Sequence, residues 1–173
     1  MNIMYCRIGW AKSYDGTVTD APQAGGSFND NNIGYELYNF KPYAGKCYCY
    51  VKIHKGHSIR IDEHCGCAWN GVSVDGVLVV WVAKNPETGG QYIVGWYKNA
   101  TVFRGYQNVP SAVMAEREQK MVSIYDVSAD EKDATLLSLA ERRYLISGMG
   151  QSNIWYGNSE INKKVEAYIN GKR

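Results

Sequence analysis

The chain has little of several residue types that would place it in a specialised class. Its 173 residues include four prolines, three phenylalanines and three histidines, and only 21% of them are charged. The formal net charge is +2, so a nucleic-acid ligand would have to be met by a local group of cations rather than by the overall field. No apolar run reaches the length of a membrane-spanning helix, and residues 1–10 lack the basic start and apolar core of a signal peptide.

The cysteines point to a reducing compartment. Their number is five, which is odd, and no export signal accompanies them, so we expect free thiols in a cytoplasmic protein. Four of them form two C-x-C pairs, Cys47 with Cys49 and Cys65 with Cys67. In the usual zinc knuckle two residues separate the cysteines, so free thiols are the preferred interpretation and we expect neither a metal nor another cofactor.

Signals for catalysis are weak. No serine or cysteine stands in a recognisable nucleophile elbow. Glu118-x-Lys120 faintly resembles a motif of metal-dependent nucleases, but no Pro-Asp pair precedes it and Asp75 lies far upstream. A solvated charged stretch explains the pair better. We therefore predict a binding domain rather than an enzyme, and a small metal-dependent nuclease remains an alternative.

Strands are predicted throughout residues 1–127. The clearest is Val77–Ala83, a continuous apolar run typical of a strand buried on both faces, which a turn of Asn, Pro and Gly connects to a returning strand at Gln91–Trp96. The other predicted strands are Ile3–Trp10, Cys47–Ile53, Thr101–Arg104 and Met121–Val127. A polar loop containing Gly25-Gly26 and Asn29–Asn32 is long enough to be functional. Short strands with Gly and Asn turns predict a barrel or a strongly curved sheet.

Helices are predicted only in residues 128–173, as an extension of a single domain that spans 1–173. Ser128-x-x-Glu131 has the spacing of a capping box, and the apolar stripe behind it would end at Gly148. A second helix is predicted from about Ser159, with Gly171 after it. The expected fold class is therefore α+β.

Rings with a polar edge are frequent, because the chain has 14 tyrosines and 5 tryptophans, and many lie beside amides and glycines. The predicted strand after Gly90, for example, ends in Trp96-Tyr97-Lys98-Asn99. An everted base needs ring faces to stack on and amides to read its edge. Any one tryptophan could equally belong to the core, but amides without partners there would be costly. The residues that we predict to form a base-binding pocket are Trp10, Tyr14, Tyr35, Asn39, Trp96, Tyr97, Asn99, Gln151, Asn153 and Trp155.

Cations near these positions are candidates for phosphate contacts. The three that we select are Lys12, Lys98 and Arg104. A single basic residue is more often a plain surface charge, so only clustering of these side chains would support the role.

Four segments of the chain resemble a known family. They are IGWAKSYDG, GYELYNFKPYAGKCYCYV, GVLVVWVAKNPETGGQYIVGWYKNATVFR and GQSNIWY. These segments resemble the amino-terminal domain that precedes an HNH nuclease in some bacterial modification-dependent restriction enzymes. That domain is similar to the PUA-like group, which includes EVE, YTH and SRA domains. The resemblance extends from Ile8 to the last predicted helix.

The resemblance implies a PUA-like fold, which is a small curved β-barrel with flanking and C-terminal helices, and a function. The domain would turn a modified base out of DNA into an aromatic cage, most often 5-methyl- or hydroxymethylcytosine, as the specificity module of a modification-dependent restriction system. A nuclease would act in cis or in trans, since no His-Asn-His arrangement is present in the chain. The alternative ligand is RNA or a free nucleotide, and no membrane partner is expected.

Overall fold

The computed structural model describes residues 1–23 and 33–172, which contain seven strands and three α-helices. The strands are β1 (Ile3–Ile8), β2 (Lys46–Cys49), β3 (Ser73–Lys84), β4 (Gln91–Asn108), β5 (Ile124–Asp130), β6 (Ala134–Leu136) and β7 (Ile154–Trp155). The helices are α1 (Ile61–Cys65), α2 (Ser111–Glu116) and α3 (Ser159–Gly171). Short 3-10 turns lie at Val18–Asp20, Tyr35–Tyr38, Glu131–Asp133 and Leu139–Glu141. This mixed content confirms the α+β class.

The strands form one sheet in the order β2-β5-β4-β3-β1-β7. β1 and β3 are parallel, and the other pairs are antiparallel. β4 is 18 residues long and has β3 on one side, with β6 and then β5 on the other. β2 and β7 are the edges of this sheet, so the ladders between the described strands do not close into a barrel.

The sheet separates two cores. Side chains from all of β1 to β5 meet in one apolar cluster on one of its faces. Alternate residues of β3, such as Val79 and Trp81, face this cluster. The residues between them, such as Val80 and Val82, face a second cluster that α3 closes. The prediction that residues 77–83 are buried on both faces is therefore confirmed.

The predicted end of the strand at Trp96–Asn99 is wrong, because β4 continues through these residues to Asn108. Val77 pairs with Ala100 and Val79 with Tyr97, so Lys98 and Asn99 together oppose a single residue in a β-bulge. Asn99 has a φ of +51°, a conformation that asparagine adopts more readily than most residues. Asparagine is present here for the backbone geometry of the bulge.

The helix predicted from Ser128 to Gly148 is also wrong. Ser128 lies within β5 and pairs with Thr101, and residues 134–136 continue along β4 as β6. The capping box that the structure contains is Ser138 with Glu141, around a single 3-10 turn. Pairing with the long β4 satisfies more backbone groups here than an isolated helix would, and the S-x-x-E spacing fits a short turn equally well.

The prediction that helices occur only in residues 128–173 is wrong, because α1 and α2 precede residue 128, whereas β6, β7 and part of β5 follow it. Helices as short as α1 and α2 give little periodic signal in the sequence. The other predictions hold in outline. α3 matches the predicted second helix, and Asn158 caps it by accepting the amide of Ile161 at 3.0 Å. β1, β2 and β5 overlap their predicted strands, with shifted ends, and Thr101–Arg104 lies inside β4. Gly25-Gly26 and Asn29–Asn32 lie outside the described residues. Among the described helices, none has the length and apolar content to cross a bilayer.

Candidate ligand site between diverging strands

Four of the predicted pocket residues are core residues. Tyr14, Asn39, Trp96 and Tyr97 are each at most 1% exposed. Adjacent residues of a strand point to opposite faces, so Trp96 packs in the cluster with α3 and Tyr97 in the other cluster. The prediction that these rings border one open pocket is wrong, since no face of either is accessible in this structure.

The polar atoms of three of these buried residues are also occupied, whereas the indole N–H of Trp96 has no partner among the described residues. The Asn39 side chain donates to the Tyr50 carbonyl at 2.9 Å and accepts the Tyr50 amide at 2.8 Å. The Tyr97 hydroxyl donates to the Asn39 carbonyl. The Tyr14 hydroxyl donates to the Gly9 carbonyl at 2.6 Å. Asn39 therefore fixes the backbone where β2 ends, and it has no group free to read a base.

Of the other predicted residues, Gln151 and Asn153 share one partner, whereas the rest have separate contacts. Gln151 and Asn153 accept from the guanidinium of Arg7 at 3.3 and 3.2 Å, beside the edge strand β7. Trp155 contacts Tyr5 at 5.2 Å between ring centres. The half-buried Trp10 lies under the guanidinium of Arg142, at 4.9 Å.

The predicted cations differ in their roles. Lys12 is exposed and Lys98 is half-buried, and both stay candidates for phosphate contacts. Arg104 is already engaged, because it donates to the carboxylate of Asp62 at 3.1 Å and to three carbonyls of residues 68–71. A phosphate would have to displace these partners, so the proposed role of Arg104 is wrong for this structure.

The cysteines and the weak nuclease motif have structural partners. The Cys49 thiol contacts the Tyr97 hydroxyl at 2.8 Å, and burial raises its pKa well above the usual value. Within residues 1–23 and 33–172, no three His, Cys, Asp or Glu side chains are grouped to hold a metal. Lys120 donates to the Met114 and Ala115 carbonyls at the end of α2, which is a capping role.

A site that the sequence reasoning missed lies at Asp126, in the middle of β5. On one side the ladder with β2 ends at Cys49 opposite Val127. On the other side the pairing with β4 jumps from Val102–Val127 to Gln107–Tyr125, so residues 103–106 all oppose Asp126. Both neighbouring strands therefore leave β5 at the same residue, so no described strand pairs with Asp126, although its side chain is fully buried.

Asp126 is fully buried, and only half of its carboxylate is used. Oδ1 accepts the Val51 amide at 2.9 Å, whereas Oδ2 has no hydrogen-bond partner among the described residues. Burial raises the pKa of Asp126 well above its ordinary value, and the nearby Glu36 raises it further. Six buried side-chain polar atoms of the described residues lack a partner, and Oδ2 of Asp126 is the carboxylate oxygen among them. Buried polar atoms are nearly always paired, so this oxygen is a candidate acceptor for a donor from a ligand.

Glu36 is a second buried carboxylate of the same region. It lies in the 3-10 turn Tyr35–Tyr38, and burial raises its pKa, although the backbone amides of Glu36 and Gly9 oppose that shift. In the described part of the chain neither Glu36 nor Asp126 has a basic group within ion-pair distance. The positive charge of Lys52 also opposes the shift at Glu36, so Asp126 is the more costly of the two buried acids and needs a reason.

Three tyrosines surround these acids. Tyr50 and Tyr106 are stacked, with ring centres 5.3 Å apart and planes at 14°, and Tyr35 meets Tyr50 edge-on at 5.2 Å. Burial raises the pKa of both Tyr50 and Tyr106, and Glu36 and Asp126 add to each shift, which places rings and carboxylates within electrostatic reach. We call Tyr35, Glu36, Tyr50, Tyr106 and Asp126 the tyrosine–carboxylate site.

The tyrosine–carboxylate site is bordered by exposed basic residues. Residues 52–60, which we call the basic segment, follow directly after Tyr50 and Val51. The exposed residues of this segment that carry or can carry positive charge are Lys52, His54, Lys55, His57 and Arg60. The Tyr106 hydroxyl accepts the Ile53 amide at 2.7 Å, which fastens the segment to the site.

Sequence signals for this site existed but were weak. Asp126 is a lone acid inside an apolar strand, and Tyr50 is followed by two lysines within five residues. Neither pattern is specific, because the divergence of the strands that gives Asp126 its role is a tertiary feature.

Comparison with protein-family models, with curated proteins and with solved structures gave no match. The class of protein is therefore defined by what the structure contains. It is an α+β domain whose sheet loses its strand pairing at a buried aspartate, beside stacked tyrosines and an exposed basic segment.

Proposed function

We propose that this protein binds nucleic acid that contains a modified base and holds that base, turned out of the helix, in the tyrosine–carboxylate site. The observation that carries the proposal is the unpartnered Oδ2 of the fully buried Asp126, beside the stacked rings of Tyr50 and Tyr106. A nucleobase has both things that this site lacks, a flat face for the rings and a polar edge for the carboxylate.

The energetics favour a base over a smaller polar ligand. Stacking on an aromatic side chain contributes about 1–3 kcal/mol per base, which offsets the few kcal/mol lost when the base leaves the duplex. A hydrogen bond to Asp126 adds to this, because it satisfies an oxygen that is otherwise buried without a partner. The basic segment then supplies cations for the flanking phosphates.

The proposal retains the ligand that the resemblance implies, which is DNA carrying 5-methyl- or hydroxymethylcytosine. Cytosine has an exocyclic amino group that can donate to a carboxylate. The proposal also includes a PUA-like relationship, for which the contribution of all of β1 to β5 to one core is the supporting feature. In it the domain is the cytoplasmic specificity module of a modification-dependent restriction system, and a nuclease acts in cis or in trans.

A binding panel tests the proposal. The probes are short duplexes that differ only in one base, which is cytosine, 5-methylcytosine, hydroxymethylcytosine or methyladenine, together with RNA of the same sequence, all at one salt concentration. We expect the wild type to prefer one modified duplex. Preference for the RNA would instead support the alternative ligand class.

Two variants locate the binding site. Tyr106→Ala removes a stacking ring and should weaken binding of the preferred probe about 5- to 150-fold, which corresponds to about 1–3 kcal/mol. Asp126→Asn should reduce the preference between probes. Tyr144→Ala is the matched control, because that tyrosine contacts Tyr168 in the core on the other face of the sheet. Wild-type binding by both site variants would refute this location.

A further inference from the structure

Trp69 is the most exposed tryptophan of the chain. Its side chain is 83% exposed, and Val72, three residues later, is 72% exposed. The other four tryptophans, all within the described residues, are buried or half-buried. Two large apolar side chains exposed on one short loop indicate a contact surface, because such groups otherwise favour burial.

The loop that carries Trp69, residues 66–72, is held in place without any partner. The Arg104 guanidinium donates to the carbonyls of Gly71 at 2.8 Å and Trp69 at 3.2 Å, and the backbone amide of Arg104 donates to Val72 at 2.8 Å. A Cβ at Gly71 would overlap the Cys67 sulfur, so a larger residue there would displace the Cys67 side chain. The exposed indole is therefore presented by a fixed loop, and little ordering is needed when it makes a contact.

The same part of β4 holds this loop and the tyrosine–carboxylate site. Arg104, which anchors the loop, and Tyr106, which belongs to the site, both lie in the four residues that oppose Asp126. They are two positions apart, or about 7 Å in an extended strand. The basic segment is attached at both points, since Ile59 donates to the Arg104 carbonyl at 2.8 Å and Ile53 to the Tyr106 hydroxyl.

The charges near the loop indicate what it contacts. Residues 66–72 contain no charged side chain. In the preceding helix α1 Glu63 pairs with Arg60 at 3.3 Å and Asp62 with Arg104 at 3.1 Å, whereas the exposed Lys52 and Lys55 form no ion pair within the described residues. An exposed apolar ring and two exposed lysines, both carried by segments fastened to β4, complement a polyanion that also has apolar faces between its charges. A nucleic-acid duplex has this pattern, with phosphates outside and stacked bases inside.

We infer that Trp69 inserts into the base stack next to the base that the tyrosine–carboxylate site holds. Turning a base out of a duplex leaves a gap, and an aromatic or apolar side chain placed in it replaces part of the lost stacking. This inference rests on the proposed function, and it assigns to Trp69 the separate role of stabilising the opened duplex. Trp69 is thus a positioning residue for duplex ligands, whereas Asp126 and Tyr106 contact the everted base.

The test compares a short duplex carrying one 5-methylcytosine with the single strand of the same sequence. Trp69→Ala should weaken binding of the duplex about 5- to 150-fold and leave binding of the single strand within about twofold, because a single strand has no gap to fill. Trp69→Phe should restore part of the duplex affinity. Leu145→Ala, which removes another exposed apolar side chain, is the control.

Tryptophan fluorescence gives an independent measurement. Iodide should quench the exposed Trp69 in the free wild type, the duplex should protect it, and Trp69→Ala should lack this component. Three results would each overturn the inference and leave the proposed function intact. They are equal duplex affinity of wild type and Trp69→Ala, equal losses of affinity on both probes, and quenching of Trp69 by iodide that is unchanged in the complex. If no probe binds the wild type, the proposed function fails as well. Protection of Trp69 that rises with protein concentration alone would show a contact between copies instead.

Discussion

Replacing Asp126 by asparagine is predicted to stabilise the protein as the pH rises, although the residue lies in the proposed binding site. Burial raises the pKa of Asp126 in the folded chain above the ordinary value of 3.8 that applies in the unfolded chain. Between these two values the folded state binds more protons than the unfolded state. The free energy of unfolding of the wild type therefore decreases as the pH increases through this window.

The difference in the free energy of unfolding between wild type and Asp126→Asn follows from the charge and from the hydrogen bonds. One proton contributes a slope of at most about 1.4 kcal/mol per pH unit. Asparagine can still accept the Val51 amide, but its own NH₂ group is then buried without a partner, at a cost of about 1–3 kcal/mol. The variant should thus become the more stable protein after about one to two pH units within the window, and its advantage should grow with pH up to the raised pKa.

Urea unfolding of wild type and variant at several values between about pH 5 and about pH 8 measures the difference. Asp130→Asn is the control, because it makes the same change at an exposed position of β5. A difference between wild type and Asp126→Asn that does not change with pH, or that changes in the opposite direction, would refute the reasoning. A variant that gains stability and loses binding would have the property expected of a functional site.

Two further predictions separate core residues from contact residues. Trp96→Ala should lower the free energy of unfolding in urea by about 3–5 kcal/mol, because Trp96 is buried against α3. A loss below about 1 kcal/mol would contradict its assignment to the core. Lys55→Ala should reduce the slope of log affinity against log salt concentration by about 1, whereas Arg104→Ala should leave that slope unchanged and lower stability. Equal slopes for the two variants would contradict these roles.

The sequence predicts those parts of the fold where one local pattern dominates. The continuous apolar run of β3 and the spacing of apolar residues in α3 depend on short-range periodicity, and both predictions are confirmed. The helix predicted after Ser128 failed because its residues pair with β4, a partner that is distant in sequence. The S-x-x-E spacing and the apolar stripe of that segment favour a helix locally, but pairing with a distant strand overrode them.

The candidate site was harder to predict, for a reason that particular residues show. Trp96 and Tyr97 are adjacent, and adjacent residues of one strand point to opposite faces, so period-2 geometry alone argues against one pocket for both. Tyr50, Tyr106 and Asp126 lie on three different segments, and they meet only because β2 and β4 both leave β5 at the same residue. No spacing within the sequence expresses that divergence.

The carboxylate of Asp126 needs an explanation beyond the hydrogen bond that it makes to Val51. The side-chain oxygen of an asparagine would accept the Val51 amide equally well. The chain uses an asparagine in this way at Tyr50, the residue before Val51, whose backbone the side chain of Asn39 holds. Nor is the charge matched internally. The buried Arg117 donates to the Val122 carbonyl at 2.6 Å and lies 4.5 Å from the ring of Tyr38, and it forms no ion pair within the described residues. The buried arginine thus lies against a carbonyl and rings, and the buried carboxylate lies beside tyrosines with one oxygen unpaired. In the proposed function, a donor from the ligand satisfies that oxygen.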